Sequence, residues 1–595
     1  MKNDVIIAMT FITVTSQKNQ CKNRLKKCID QTCSMKFLKK RLPILEWLPK
    51  YQMAFLIQDI IAGITVGLTA IPQGIAYAVI AGLPPEHGLY ASLTSGVIYV
   101  IFGSCYNVTV GPTAILAAMT ARYVANYSID FAILAAFLSG LMIFIMGVLN
   151  LGFLVEFISM PVISGFTTAA ALQIAASQLK SLFGLSGSSG DYFAESVYNF
   201  FNNITTAKLW EPILGFSTMI MLMLLQKLGQ GCNRTDGFFK QMRWFVSLSR
   251  NAVVVVVGMI IAYVFKITLN AEPLIIIGDI GGGLPEFSLP PFTTVVGNET
   301  YSFTDMLGVL GPQSVALPLV AILESVAIAK AFADGATVDA TQEMIALGLC
   351  NIIGSFGQSM PITGSFTRTA LNHVSGVQTP AGGVTKVLLI IVALTFLTST
   401  FYYIPKASLA GLIIVAMFTM IDYSIIGRLW KNSKRELFVL LVTMIVCLFA
   451  GLEYGIMTGI ILEAAMLLYK VARPPVDVNM MKYQKADVMI VPLSDSVSYC
   501  AAEYVRRLVL RASRHSLLET LIIIDGTNLR NMDFTVASNL ISTVKDLEKK
   551  SHQIVLLNFN LDLKTLCVDI DSKCETKFQY AVDAKQLVDT MAKDV

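Results

Sequence analysis

Thr109-Val-Gly-Pro-Thr-Ala-Ile115 and Ile362-Thr-Gly-Ser-Phe-Thr-Arg-Thr-Ala370 are the two stretches that decide the fold of this chain. Each is a hydroxyl-rich entry, interrupted by Gly or Pro, into a short apolar segment. Paired interrupted segments at corresponding positions of two halves are typical of transporters built as inverted repeats, and they mark the binding site. The alternative is that Gly and Pro only allow close helix packing, as is common in membrane helices. The occurrence of a pair favours a binding site.

The composition places the chain among membrane proteins. Of its 595 residues, 54% are hydrophobic and 14% are charged, whereas soluble domains have about 45–50% apolar and about 25% charged residues. This excess of apolar residues excludes a soluble globular protein, a disordered scaffold and a collagen-like fibre. The partner it implies is the lipid bilayer. The net charge of +5 is small for this length, so nucleic acid is not an expected partner.

Apolar segments recur from Phe55 to Val471, and a membrane-spanning helix needs about 20 such residues. Breaks at Gly, Pro and charge clusters predict fourteen segments in two groups of seven. The first group is predicted at 55–80, 86–103, 112–126, 130–150, 161–182, 211–228 and 250–267. The second is predicted at 311–332, 343–357, 364–374, 382–402, 405–423, 434–450 and 453–471.

Charge in the connectors predicts the orientation. The connectors after the sixth and twelfth segments are basic, whereas the long connector before the eighth is acidic. The basic residues are Lys227, Arg234, Lys240, Arg243, Arg250, Arg428, Lys431, Lys434 and Arg435; the acidic ones are Glu272, Asp279, Glu286, Glu299 and Asp305. The positive-inside rule places the basic connectors and both termini in the cytosol. The glycosylation sequons at Asn126, Asn203 and Asn298 then lie outside, and the sequon at Asn233 lies inside.

Three regions follow from these patterns. We predict a basic cytosolic N-terminal region at 1–50, a transmembrane domain at 51–472 and a cytosolic domain at 473–595. In the last region the strand-length apolar runs Val488–Leu493, Leu521–Ile524 and Gln553–Phe559 alternate with the helical patterns 501–512 and 536–549. This alternation is typical of a small α/β domain with a largely parallel sheet.

Enzymatic motifs are missing from the sequence. It contains no G-x-x-x-x-G-K-[ST] loop, no HExxH and no GxSxG, and its four histidines are scattered. The ten cysteines form no CxxC pair. We therefore expect neither an enzyme nor a metal or cofactor site.

Arg368 is the residue that points to an anion. An arginine within a membrane segment costs roughly 2.5–3.5 kcal/mol on insertion scales, so it normally faces a partner or a wet cavity. It lies just inside a helix N-terminus, where free N–H groups and the helix dipole favour negative charge. The alternative role is a salt bridge, for which Glu324 is the natural acid. Both roles are compatible if Glu324 balances Arg368 in the empty site and protonates when an anion enters.

Four motifs carry a resemblance to a known family. Pro72-Gln-Gly-Ile-Ala-Tyr-Ala78, Gly82-Leu-Pro-Pro-Glu-His-Gly-Leu-Tyr-Ala91, Val110-Gly-Pro-Thr-Ala-Ile115 and Asp339-Ala-Thr-Gln-Glu-Met-Ile-Ala-Leu-Gly-Leu-Cys-Asn351 strongly resemble the sulfate permease family of anion transporters. The resemblance covers roughly residues 40–590, includes a C-terminal STAS domain, and is greatest to the sodium-independent sulfate anion transporter branch. One departure is Phe534, which stands where bacterial STAS switches carry a phosphorylated serine. The aromatic residue favours a docking and dimerisation role for this domain.

The resemblance implies a polytopic α-helical membrane protein with a seven-plus-seven inverted repeat. Its core would comprise segments 1–4 and 8–11, and its gate segments 5–7 and 12–14. The anion would bind between the N-termini of segments three and ten. The implied substrate-binding residues are Gln73, Tyr77, Thr113, Ala114, Ser365, Phe366, Thr367 and Arg368. Glu324 matches an acidic position linked with proton coupling, although other animal members replace it.

The implied function is sodium-independent secondary transport of sulfate and related anions by an elevator-like mechanism, as anion exchange or proton-coupled uptake. The alternative is a chloride channel or a chloride, bicarbonate or oxalate exchanger on the same fold; a voltage-driven motor or STAS scaffold is a third class. The resemblance also implies a homodimer that forms through the STAS and membrane domains. We expect a multi-pass protein of the plasma membrane, with a lysosomal or other endomembrane location as the alternative.

Overall fold

The structure is a computed structural model that describes residues 35–581, apart from 188–189, 191, 230–237, 270–273, 334, 336, 477, 484–485, 494–495 and 515–519. Asn233, Arg234 and Glu272 of the orientation argument therefore lie outside the described residues. The chain divides into two compact units, Met1–Ile460 and Ile461–Val595. The domain bounds that we predicted at 50 and 472 stay a prediction.

The fourteen predicted segments are all helical. The first seven helices, α1–α7, are Met53–Ile80, Pro85–Phe102, Ala114–Asn126, Ile129–Val148, Met160–Phe183, Trp210–Leu228 and Arg250–Leu269. The second seven, α8–α14, are Gln313–Ala331, Ala340–Phe356, Phe366–Val374, Gly382–Val392, Lys406–Met420, Lys434–Ala450 and Leu452–Ala472. α11 continues through a π-helical turn, Ala393–Leu397, into a last turn at Thr398–Phe401.

Among the described residues, nine helices are long and apolar enough to cross a membrane. The shortest of the remaining five are α3, with 13 residues, and α10, with 9 residues. At 1.5 Å per residue they reach only part of the way through a hydrocarbon layer of about 30 Å. They are the third helix of each repeat, and the extended stretches Val110–Gly111 (β1) and Thr363–Gly364 (β4) precede them. Each repeat therefore contains one helix that is too short to span the layer and that follows an extended stretch.

The helices pack as a core and a gate. In the core, α4 packs on α9, while α11 packs on α1 and α2. In the gate, α5 packs on α12 and α13, and α6 packs on α7 and α12. The core contacts are close because small residues line them: a Cβ added at Gly140 of α4 would lie 2.6 Å from the backbone nitrogen of Ile352 in α9. The predicted membrane fold, with its seven-plus-seven inverted repeat, is confirmed.

The connectors contain structure that the sequence interpretation left out. Amphipathic helices lie at Phe193–Asn203, Phe238–Leu248 and Tyr423–Asn432. The long acidic connector holds an antiparallel hairpin of β2 (Thr294–Val296) and β3 (Glu299–Tyr301), followed by the helix Phe303–Leu310. In these connector elements polar residues alternate with apolar ones. They contain no long apolar run, so a search for membrane-spanning segments does not detect them.

The second unit contains a five-stranded sheet. Its strands are β5 (Asn479–Tyr483), β6 (Ala486–Pro492), β8 (Leu521–Asp525), β10 (Gln553–Leu557) and β11 (Phe578–Gln579), in the spatial order β11-β10-β8-β6-β5. β6, β8, β10 and β11 run parallel, and β5 pairs antiparallel to β6 at the edge. A short parallel pair, β7 (Ser496–Val497) and β9 (Asn531–Met532), lies beside it. The predicted α/β domain is confirmed.

Three helices complete this unit: α15 (Tyr499–Ser513), α16 (Phe534–Glu548) and α17 (Leu561–Ile570). Alternate strand residues separate the two faces of the sheet. Ile522 and Ile524 of β8 belong to the larger cluster with the helices, whereas Leu521 and Ile523 belong to a small cluster with β6 and β10. Asp533 begins α16 because its side chain accepts a hydrogen bond from the Val536 backbone N–H at 2.9 Å.

Candidate functional site

The centre of the core is a crossing of two extended stretches. β1 and β4 pair antiparallel, with Val110 opposite Gly364 and Gly111 opposite Thr363. The Ser365 N–H donates to the Thr109 carbonyl at 3.0 Å, and the Thr109 N–H donates to Thr369 Oγ1 at 3.1 Å. This pairing brings together the N-termini of α3 and α10, which belong to opposite halves of the chain.

Both helix N-termini keep unsatisfied backbone donors. Thr113 is the N-cap residue of α3 and Ser365 that of α10, each with extended backbone angles, and neither side chain bonds to the first turn of its helix. The first N–H groups of a helix have no partner within the helix, and they carry the positive end of its dipole. Two such ends at one crossing form a site suited to an anion.

Arg368 lies in the first turn of α10 and is 1% exposed. Its Nη2 donates to the Pro112 carbonyl at 2.7 Å, and its Nη1 donates to Gln73 Oε1 at 3.4 Å. A Cβ at Gly111 would lie 3.0 Å from Nη2, so the absence of a side chain at position 111 leaves room for the guanidinium. Two bonds use part of the five N–H donors of a guanidinium, and the others remain for a ligand.

Gln73 and Tyr77 come from α1. Both are buried, at 1% and 3% exposed, and they lie one helical turn apart, which places them on the same face of the helix. Gln73 accepts from Arg368, and Tyr77 is close enough to interact with the charges of Arg368 and Glu324. The structure therefore joins Gln73 to Arg368 by a hydrogen bond and places Tyr77 nearby.

Glu324 is contributed by α8. It lies near Arg368 and Thr113, but no direct ion pair joins it to Arg368 in the part of the chain that the structure describes. Its Oε2 and the Oγ1 of Thr113 are both buried without a hydrogen bond of good geometry to any described residue. The salt bridge that the sequence offered as an alternative role of Arg368 is not formed among the described residues; the guanidinium is bonded to Pro112 and Gln73. Two buried oxygens, Glu324 Oε2 and Thr113 Oγ1, therefore remain next to the helix crossing.

The other predicted residues surround the same helix ends. Ala114 is buried at the start of α3, and Ser365 is buried before α10. The hydroxyls of Ser365 and Thr367 are 3.4 Å apart. Phe366 is 49% exposed, and its ring makes an edge contact with Phe332. Phe366 thus borders the site on an open side, whereas Arg368 lies inside it.

The sequence interpretation did not identify one charged residue near the site. Lys386 of α11 is 4% exposed, and its Nζ donates to the Val110 carbonyl at 3.3 Å. Its charge interacts with that of Arg368. The rule that singled out Arg368, a basic residue in an apolar segment, also applies to Lys386. A lysine near the end of a segment can instead extend to the membrane surface, and the sequence does not separate the two cases.

A second buried carboxylate, Glu343 of the motif Asp339–Asn351, has a structural role. It accepts hydrogen bonds from Tyr99, at 2.9 Å, and from the backbone and hydroxyl of Ser104, at 3.1 and 2.6 Å. Asp339 caps α9 and pairs with Lys40 at 2.9 Å. The acidic residues of this motif are therefore fully engaged away from the helix crossing.

Two further predictions concern the surface and metals. Asn126 and Asn298 are exposed, and Asn203 is half-buried at the end of the helix Phe193–Asn203. Within the described ranges, no group of three or more His, Cys, Asp or Glu side chains is arranged to hold a metal ion.

Comparisons of the sequence with known proteins agree with the motifs. The profile of the Sulfate permease family matches residues 56–443, and that of the STAS domain matches residues 479–583. The Sodium-independent sulfate anion transporter of Bos taurus is 36% identical over 553 residues, which cover 91% of this chain and 90% of that protein. Sulfate transporter 4.1, chloroplastic, of Arabidopsis thaliana is 32% identical over 490 residues, covering 78% of this chain and 68% of that protein. The predicted resemblance is confirmed.

Solved structures share the fold. The murine Solute Carrier 26 family member A9 anion transporter in the inward-facing state superposes with a TM-score of 0.81 at 22% identity, covering 93% of this chain and 96% of that chain. The transmembrane domain of a cyanobacterium bicarbonate transporter, BicA, gives a TM-score of 0.54 at 19% identity, covering 69% of this chain and 98% of that chain. At these identities the likeness concerns the fold alone.

Proposed function

The chain belongs to the sulfate permease family and is an anion transporter with a STAS domain, and from this premise we propose that it carries sulfate and related anions by secondary active transport. The observation that carries the proposal is the crossing of β1 and β4. It places the N-termini of α3 and α10 beside one buried guanidinium. Oxyanions bind well to such donors, because a guanidinium and backbone N–H groups both match their oxygens.

The proposed substrate-binding residues are those that surround this crossing. Arg368 supplies the fixed charge, and the helix N-termini at Thr113–Ala114 and Ser365–Thr367 supply backbone donors. Gln73 and Tyr77 orient the guanidinium and line the site from α1. The hydrogen bond from Arg368 to Gln73 supports this arrangement.

The proposed movement is elevator-like. All the proposed binding residues lie on α1, α3, α8 and α10, which belong to the core, and none lies on the gate. A core that moves as one body past the gate would carry the anion with its binding residues and expose it alternately to the two sides. The tight glycine contacts within the core support a rigid body.

The proposed coupling uses no sodium. Glu324 lies beside Arg368 with a buried, unbonded oxygen, so a proton on that oxygen can offset the charge of a divalent anion. Proton-coupled uptake and exchange for another anion, such as chloride, bicarbonate or oxalate, are both compatible with this site. A chloride channel or exchanger on the same fold is the second candidate, since helix ends bind monovalent anions as well.

The experiment is uptake of radiolabelled sulfate into proteoliposomes that contain the purified full chain. A chloride gradient, a proton gradient and sodium are each imposed alone. We expect uptake that a proton or anion gradient accelerates and that sodium leaves unchanged. Anion conductance without sulfate uptake would favour the chloride channel, and the absence of both would contradict the proposed function.

Three cellular features remain part of the proposal. We propose that both termini face the cytosol and that the protein resides in the plasma membrane, with an endomembrane as the alternative. We also propose a homodimer that forms through the STAS and membrane domains. Finally, we propose the domain bounds 1–50, 51–472 and 473–595; the family matches at 56–443 and 479–583 lie within the second and third of these ranges.

A further inference from the structure

Lys386 is a buried cation with no carboxylate partner in the described part of the chain. It lies in the first half of α11, its side chain is 4% exposed, and its one hydrogen bond goes to the Val110 carbonyl of β1. The charged or titratable groups that interact with it are Arg368 and Cys350. No acid among the described residues forms an ion pair with it, so none of them neutralises its charge.

The backbone of β1 does not require this lysine. The Thr109 carbonyl bonds to Ser365 beside β4, so in an antiparallel pair the Val110 carbonyl faces the other edge. There it lies 3.3 Å from Lys386 Nζ and 3.0 Å from Ser95 Oγ, whose single proton it shares with the Ala91 carbonyl at 2.7 Å. A neutral donor would satisfy this one carbonyl as well as an ammonium does, so the acceptor by itself does not explain a buried charge at this position.

The two cations of the core are held on the same extended stretch. Lys386 bonds to the carbonyl of Val110 and Arg368 to the carbonyl of Pro112, two residues further along. Residues two apart in an extended chain are separated by roughly 6.6 Å. The two carbonyls that accept from the cations are therefore about one strand repeat apart, and the charges of Arg368 and Lys386 interact.

A small cavity lies beside the Lys386 side chain. A cavity of about 30 Å³ borders Lys386, Thr109, Tyr106 and Asn372, which is room for about one water molecule. A water there can accept one of the remaining ammonium protons. The titratable groups near the anion site, apart from the two cations, are Glu324 and Tyr77.

We propose that Lys386 is a second fixed positive charge of the transport site and that it determines the preference for divalent over monovalent anions. This inference rests on the proposed function. With Glu324 ionised, the three side chains have one net positive charge, which balances a monovalent anion. With Glu324 protonated they have two, which balance sulfate. Lys386 thus allows sulfate and one proton to be carried with the same net charge as a monovalent anion alone.

The expected size of the effect follows from Coulomb's law. We take an anion about 8 Å from the ammonium and an effective dielectric constant of about 20. The attraction to the ammonium then raises the binding constant roughly thirtyfold for each unit of charge on the anion. Loss of the ammonium therefore weakens a divalent anion more than a monovalent one, by about that factor. We expect the ratio of sulfate to chloride transport efficiency to fall at least about tenfold in Lys386→Gln.

The test measures sulfate and chloride uptake by the full chain in the same proteoliposomes at one fixed pH. Lys386→Gln removes the charge, and Lys386→Arg retains it. Ser95→Ala removes the other hydrogen bond to Val110 without a change of charge, and Lys330→Gln removes an exposed lysine at the end of α8. We expect a changed anion ratio in Lys386→Gln alone. A wild-type ratio in Lys386→Gln would overturn the proposal, and so would an equal loss in Ser95→Ala.

A binding measurement covers the case in which Lys386→Gln transports no anion at all. The thermal unfolding midpoint of the purified protein is followed while sulfate or chloride is added. We expect the midpoint of Lys386→Gln to respond to chloride and to lose most of its response to sulfate. Equal responses of the variant and the wild type would overturn the proposal. If the wild type moves no anion, the proposed function fails first, and the sulfate response of the midpoint still decides the role of Lys386.

Discussion

Replacement of Arg368 by glutamine tests the binding site most directly. Arg368→Gln removes the fixed charge of the helix crossing but retains a side chain that can donate a hydrogen bond. It leaves the Pro112 carbonyl, which accepts from Nη2 at 2.7 Å, and Gln73, which accepts from Nη1 at 3.4 Å, without their charged donor. We expect transport of sulfate to be severely reduced while the protein still folds and inserts.

The magnitude follows from the donors that remain available to the anion. A hydrogen bond to a charged group contributes about 1.5–3 kcal/mol, and each 1.4 kcal/mol is a factor of ten in affinity. Loss of one such bond between Arg368 and the anion therefore raises the apparent KM for sulfate roughly ten- to hundredfold. Arg368→Lys retains the charge but not the planar pair of donors, so it should lie between the wild type and Arg368→Gln.

The assay is the initial rate of sulfate uptake against sulfate concentration in proteoliposomes with equal amounts of inserted protein. Arg428→Gln is the matched control, because Arg428 is an exposed arginine that pairs with Asp422 at 3.1 Å outside the site. We expect wild-type kinetics for this control. Unchanged kinetics in Arg368→Gln would refute the assignment of Arg368 to the site.

Three further predictions concern coupling, topology and the STAS domain. Glu324→Gln should retain sulfate uptake but lose its acceleration by acidic external pH, because the variant cannot take up a proton; a wild-type pH profile would make Glu324 only a structural partner. Removal of the sequons at Asn203 and Asn298 should abolish most of the glycosidase-sensitive shift in gel mobility, and Asn233→Gln should not change it; glycan at Asn233 would overturn the orientation. Burial lowers the pKa of His552, and nearby Lys550 lowers it further. Because the folded state then binds the proton less well than the unfolded state, the stability contributed by neutral His552 is complete above the unfolded pKa of about 6.5 and declines below it. Hydrogen exchange of β10 amides, corrected for intrinsic rates, should show less protection at pH 5.5 than at 7.5 in the wild type and a smaller difference in His552→Gln; an unchanged difference would contradict this role.

The sequence predicted the membrane helices well because lipid imposes one strong pattern. A spanning helix must be long and apolar, and glycine, proline and charge clusters mark its ends. The nine-residue helix α10 was found by its broken entry at Thr363–Ser365 rather than by length. The amphipathic helices Phe193–Asn203 and Phe238–Leu248 were missed, because they have the composition of ordinary connectors.

The site was predicted less completely, since hydrogen-bond partners depend on the tertiary crossing. From the sequence, Glu324 was the candidate partner of Arg368 on charge alone. In the structure the guanidinium donates hydrogen bonds to the Pro112 carbonyl and to Gln73. Pro112 contributes a backbone carbonyl, which no side-chain pattern marks. Lys386 was missed because the sequence does not show whether a lysine near a segment end extends to the surface or turns inward.

In the proposed transport site, the formal charges all come from one of the two repeats. The first repeat contributes Gln73, Tyr77 and the N-terminus of α3, all without formal charge. The second contributes the charged side chains, Arg368, Glu324 and Lys386, from α10, α8 and α11. All of these helices belong to the core, so in an elevator the charges move with the anion instead of being left behind at the gate. The net charge that crosses the membrane is then set by the anion and by the protonation of Glu324. A change at Lys386 or Glu324 should therefore alter the charge balance of transport even where the path of the anion remains the same.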